Sequence, residues 1–100
     1  MEAVLTVSDN PKKKYKVVVT KGNKKKTIHF GQAGASDYTQ HKDVERKDRY
    51  LTRHKQRENW KDPFTASFWA TNLLWNKPSL YASLKSIQDD CGIKIRTNIM

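Results

Sequence analysis

The chain predicts an α+β fold: a small amino-terminal antiparallel β-sheet, then three α-helices, with a short carboxy-terminal segment able to return as a strand. Three observations carry this. The first 30 residues hold β-branched runs separated by turn signals, residues 38–91 hold three stretches of helical periodicity, and Ile93 to Arg96 alternates. At 100 residues, one domain with a modest core is expected.

The elements follow in order. Ala3 to Ser8 alternates weakly and Asp9-Asn10-Pro11 marks a turn. Tyr15 to Thr20 is rich in valine, and Lys21-Gly22-Asn23-Lys24 is a hairpin turn leading to Lys26 to Phe30. Val17, Val19, Ile28 and Phe30 can share one face. Residues 31–37 form a glycine-containing connector between the β-rich basic region 1–30 and the helical region 38–91.

The first helix is basic. Lys42, Arg46, Arg49, Arg53 and Arg57 recur at spacings of 4, 3, 4 and 4, which places them in one stripe at 100° per residue. Val44, Leu51 and the stem of Lys47 lie roughly opposite, so the helix can lean on a core and hold guanidinium groups outward toward phosphates or carboxylates. The alternative is a solvated face whose cations pair with Asp43, Glu45, Asp48 and Glu58.

Asp62-Pro63 then offers a helix start, with Asp62 as cap and Pro63 at the first helical position. Phe64, Phe68, Trp69, Leu73, Leu74 and Trp75 surround much of the second helix, so it must lie centrally or meet a partner. Trp60, Phe64, Phe68, Trp69 and Trp75 are thus expected in the core or at an interface. A third helix follows Asn76-Lys77-Pro78-Ser79, with Leu80, Leu84, Ile87 and Cys91 as its core stripe and Gly92 as its stop. Residues 92–100 form the short strand or tail.

Twenty basic residues against ten acidic ones give a net charge of +10, which favours anionic partners. Residues 1–61 hold sixteen basic and seven acidic residues, so the charge is concentrated there. Two lysine triplets, Lys12, Lys13, Lys14 and Lys24, Lys25, Lys26, sit in or beside the turns. They can bind anions, or keep sheet edges from pairing with other chains.

Enzymatic chemistry has little support. Gly31-Gln32-Ala33-Gly34-Ala35-Ser36 lacks the Gly-Lys-Ser/Thr ending of a phosphate-binding loop and the three-glycine dinucleotide pattern. His29, His41, His54 and Cys91 show no paired metal-ligand spacing, and Ser67 and Ser79 lack a nucleophile elbow. The sequence therefore predicts no catalytic residues, no metal and no cofactor. Cys91 is alone, so an internal disulfide is excluded, and it reads as a small buried residue in a reducing compartment. The amino terminus does not read as a signal peptide, and no segment approaches the ~20 apolar residues of a membrane span.

From Ser36 onward, the pieces SDYTQHKDVERKDRYLTRHKQRENW, DPFTASFW and LLWNKPSL resemble the diagnostic core of a family of small uncharacterised proteins. These proteins are encoded by nucleocytoplasmic large DNA viruses, including algal and amoebal viruses. The resemblance covers about half the chain. Ser67 departs from the small residue, such as glycine, that generally precedes the aromatic pair. The resemblance implies a viral origin; the expected location is the virion, and the host cytoplasm or nucleus during assembly. It carries no catalytic residues. The expected role is a non-enzymatic virion structural protein, a minor capsid component of a large icosahedral double-stranded DNA virus that binds capsid or other virion proteins through arginines and aromatics; the alternative is a basic protein contacting DNA or RNA backbones in genome packaging or transcription.

Overall fold

The computed structural model describes residues 1–55 and 60–99. The elements run β1 (Glu2–Val7), β2 (Lys13–Lys21), β3 (Lys24–Gln32), α1 (Tyr38–His41), α2 (Val44–His54), α3 (Ala66–Trp69), α4 (Leu80–Cys91) and β4 (Lys94–Thr97). A π-helical turn, Ala70–Leu74, continues α3.

The architecture corrects the expected one. It is α+β, but the four-stranded sheet is mixed, with strands from both ends of the chain and the helices between them. Its order is β3-β2-β1-β4. β1 and β3 flank β2 antiparallel, with Leu5 opposite Val17 and Val17 opposite Ile28, whereas β4 lies parallel to β1, with Ala3 opposite Ile95. Parallel neighbours require a long crossover, and here everything from β2 to α4 supplies it. Alternation in Ile93 to Arg96 identified a strand but not the direction in which it would run.

The helical region is also divided differently. Asp37 caps α1 by accepting the Thr39 N–H, while Gln40 reaches back to the Asp37 N–H, a reciprocal capping box. Lys42 then adopts a left-handed conformation with φ 58°, and Asp43 caps α2 by accepting from the Glu45 and Arg46 N–H groups. Two aspartate caps six residues apart thus split the basic segment. Similarly, α3 does not start at Pro63. Asp62 accepts from the Phe64 N–H and, through its carbonyl, from Thr65, and the Thr65 hydroxyl becomes the cap by accepting the Phe68 N–H.

The π turn explains how an all-round apolar helix is buried. It rotates less than the 100° per residue of an α-helix, which pulls Leu73 and Leu74 back toward the side of Phe68 and Trp69. Its local cause is Asn72, whose side-chain amide donates to the Phe68 carbonyl, the acceptor an α-helix would give to the Asn72 backbone. The same amide also donates to the Trp60 carbonyl.

The core lies between one sheet face and these helices. Ala3, Leu5, Val17, Val19, Ile28 and Phe30 pack against Phe64, Phe68, Trp69, Leu73, Leu74, Leu84, Ile87 and Ile93, all buried. On the opposite sheet face Val4, Thr6, Lys16, Val18 and Thr27 are not buried. In α4, Leu84 and Ile87 face the core, but Cys91 is exposed, contrary to expectation. The left-handed Gly92 ends the helix at that residue and turns the chain into β4, so Cys91 has no layer above it.

Gly31 sits where β3 meets the helical layer. Its φ is +78°, and a Cβ there would lie 2.9 Å from Leu74 Cδ1 and 3.3 Å from Lys14 Cβ. Gly34, at φ +83°, has open space around it. Gly31→Ala is therefore expected to cost about 3 kcal/mol against about 1 kcal/mol for Gly34→Ala, measured by denaturant unfolding. Equal costs would show that packing against Leu74 contributes nothing.

Candidate functional site

Helix α2 contains no buried residue, so its position depends on a few side contacts. Tyr50 stacks on Trp75 with ring centroids 4.2 Å apart and an interplanar angle of 4°, and His54 stacks on Tyr50 at 4.1 Å. Lys47 Nζ donates to the Asn76 carbonyl at 2.7 Å and lies 5.0 Å from the Tyr38 ring. These contacts fix which face of the helix points outward.

Arg46, Arg49 and Arg53 are exposed along one stripe of α2, beside the side that carries Tyr50. Among the described residues, no carboxylate lies within ion-pair distance of any of them. The alternative pairings with Asp43, Glu45 and Asp48 are not formed, and Asp43 serves as a cap instead. Lys42 is not part of the stripe, because the left-handed turn separates it from α2. Arg57 and Glu58 lie outside the described residues.

A cleft of about 600 Å³ separates α2 from the sheet end, with Lys14, Gln32, Ser36, Asp37, Arg46, Arg53 and Trp75 in its walls. Its buried carboxylate, Asp37, is paired with Lys14 Nζ at 2.5 Å and also accepts from the Thr39 hydroxyl. Lys14 donates to Gln40 as well, at 2.9 Å. Among the described residues, no carboxylate pairs with Arg46 or Arg53 in the cleft, an arrangement suited to an anionic group.

The other expected site residues are dispersed. Lys12 and Lys13 are exposed at the β1–β2 turn, near the cleft. Lys24, Lys25 and Lys26 lie at the other end of β2, on the edge strand β3. Lys24 Nζ sits 4.1 Å from the Phe64 ring centroid and Lys26 Nζ donates to the Phe64 carbonyl at 3.0 Å. Phe64, Phe68 and Trp69 are buried, and Trp60 and Trp75 are half-buried. None of the five is an exposed anchor.

Sequence reasoning missed Tyr50 as the docking residue. Its signal was the Tyr50–His54 spacing of four, one helical turn beside the arginine stripe. Tyr15 is half-buried and Tyr38 is buried, whereas Tyr81 is 65% exposed. Burial, followed by the charge of Asp37, pushes the Tyr15 phenol above its ordinary range. The Cys91 thiol is pushed up by partial burial and then by Asp90, which disfavours the thiolate.

The histidines do not converge. His29 Nδ1 is 2.7 Å from the Ser8 hydroxyl, His41 Nδ1 accepts the Asp43 N–H, and His54 stacks on Tyr50. Among the described residues, no group of three or more His, Cys, Asp or Glu side chains could hold a metal ion. Nor is any helix among them long and apolar enough to cross a membrane.

Thr71, in the π turn, is 6% exposed, and its hydroxyl has no hydrogen-bond partner among the described residues. Thr71→Val is expected to stabilise the fold by about 1 kcal/mol, because it removes an unpaired buried hydroxyl at nearly constant shape. A loss of stability in thermal unfolding would mean that the hydroxyl has a partner.

No curated protein and no solved structure matches the chain. One family profile matches residues 3–54, just over half of the sequence, and is described as a family of unknown function, DUF5754. The matched region runs from β1 through α2, so it contains three strands of the sheet and the arginine stripe, and ends before the tryptophan-rich half. On that match the chain belongs to the DUF5754 family of unknown function.

Proposed function

We propose that this protein is a non-enzymatic, nucleic-acid-binding protein that contacts phosphate backbones through α2. The observation carrying this reading is that Arg46, Arg49 and Arg53 share one exposed stripe with no described carboxylate in reach. A guanidinium without an internal partner has its forked donors available for phosphate oxygens. The net charge of +10 adds long-range attraction. Backbone phosphates are the same for every base pair, so binding through them is expected to be insensitive to sequence.

The test is the salt dependence of duplex binding. Replacing Arg46, Arg49 and Arg53 with glutamine should weaken affinity and flatten the slope of log affinity against log salt by about 2.7, at ~0.9 per lost phosphate contact. An unchanged slope would place binding elsewhere.

A second reading is a minor capsid component of a large icosahedral double-stranded DNA virus, supported by the sequence resemblance to proteins of such viruses. The helix-free sheet face, where Val4 is 46% exposed, gives that reading a docking surface other than the buried aromatics. Mass spectrometry of separated virion fractions distinguishes the readings. A fixed ratio to the major capsid protein in the shell supports the capsid role, whereas release from the core by salt or nuclease supports backbone binding.

A further inference from the structure

The lysine triplet on β3 is not explained by α2. β2 spans Lys13–Lys21, nine residues, and at roughly 3.3 Å per residue its two ends lie about 26 Å apart. The molecule is 39 Å long. Lys12 and Lys13 stand at one end of β2, beside the cleft walled by Arg46 and Arg53. At the other end the tight Gly22-Asn23 turn brings Lys21 and Lys24 into register, with Lys25 and Lys26 following on the edge strand.

This second cluster is positioned rather than merely solvated. Lys26 Nζ is tethered to the Phe64 carbonyl and Lys24 Nζ lies over the Phe64 ring, so two of its ammonium groups are held near the surface of the core. Among the described residues, no carboxylate is within ion-pair distance of Lys21, Lys24, Lys25 or Lys26. Asp62, on the same surface, accepts the Phe64 N–H. The separation of about 26 Å exceeds twice the ~8–10 Å screening length at 0.10–0.15 M salt, so anions at the two ends scarcely sense each other.

We infer that the protein bridges two nucleic-acid segments, one phosphate backbone at the α2 end and another at the Lys24–Lys26 end. This rests on the proposed backbone binding by α2 and adds a second, independent contact. A monomer with two separated cationic ends needs no oligomer to join two strands of like charge.

The experiment uses the full chain, a short duplex DNA fixed to a surface, and a second, fluorescent duplex in solution at low salt. The wild-type protein should retain the second duplex. Replacing Lys24, Lys25 and Lys26 with glutamine should reduce that capture by about tenfold or more, while affinity for a single duplex changes by less than about threefold. Three results overturn the inference. A wild-type chain that binds one duplex normally yet captures no second one overturns the bridge and leaves the α2 reading intact. The triple variant losing single-duplex affinity as steeply as capture would place both ends on one duplex. Failure of the wild-type chain to bind any duplex removes the α2 reading and the bridge together. A circular dichroism spectrum matching wild type shows that the variant is folded.

Discussion

Replacing Trp69 with alanine is expected to destabilise the protein by about 3–5 kcal/mol, a large share of the roughly 5–15 kcal/mol that holds a domain folded. Trp69 is fully buried and reaches both layers of the fold. Its ring is 5.2 Å from Phe68 and 6.3 Å from Phe30 on the sheet, and Nε1 donates to the Pro63 carbonyl at 2.8 Å. Truncation leaves a void that the flanking π turn and β3 can only partly fill, and it leaves that carbonyl without its donor. At roughly 4–8 °C per kcal/mol for a domain of this size, the midpoint should fall by about 12–40 °C. Trp69→Phe should recover most of the loss, with a residual cost of about 1–2 kcal/mol for the carbonyl and the smaller ring. If Trp69→Ala unfolds within 1 kcal/mol of the parent, the indole is not the bridge between layers.

The second large effect concerns Tyr50. Tyr50→Ala is expected to cost about 2 kcal/mol, from lost burial and from the lost stack on Trp75. The more informative outcome is where the loss appears. An isolated helix of eleven residues is marginal in water, and α2 has no buried residue to hold it once the stack is gone. Hydrogen exchange should therefore accelerate across Val44–His54 while the amides of β1, β2 and β3 keep their protection. Duplex affinity should fall as well, because the arginines would have to be ordered on binding. Uniform acceleration across the sheet would show that α2 unfolds only with the whole molecule, and unchanged exchange would show that Tyr50 does not hold it.

These two residues also separate what pattern can reveal from what it cannot. Trp69 was marked as core or interface by the density of apolar residues around it, and only the sheet's inner face decided for the core. Tyr50 was overlooked because one aromatic on a charged helix has no periodic partner, and Trp75 lies 25 positions away in sequence. The basic stripe was legible from its spacing, yet Lys42 was wrongly joined to it. A wheel cannot register a single left-handed residue between two aspartate caps, since each cap competes locally with helix propagation.

By itself, the sequence determined the local units: the β2–β3 hairpin with its Gly22-Asn23 turn, the helix after Ser79, its stop at Gly92, and the concentration of positive charge in residues 1–61. These follow from interactions among near neighbours, where propensity, turn chemistry and capping operate. The tertiary structure alone decided that β4 lies parallel to β1, that Asn72 opens a π turn, and that the Tyr50–Trp75 stack seats the arginine helix beside the cleft. Each of these depends on groups distant in sequence or on a competition for one carbonyl, and the free energy of such contacts exists only once the layers have met.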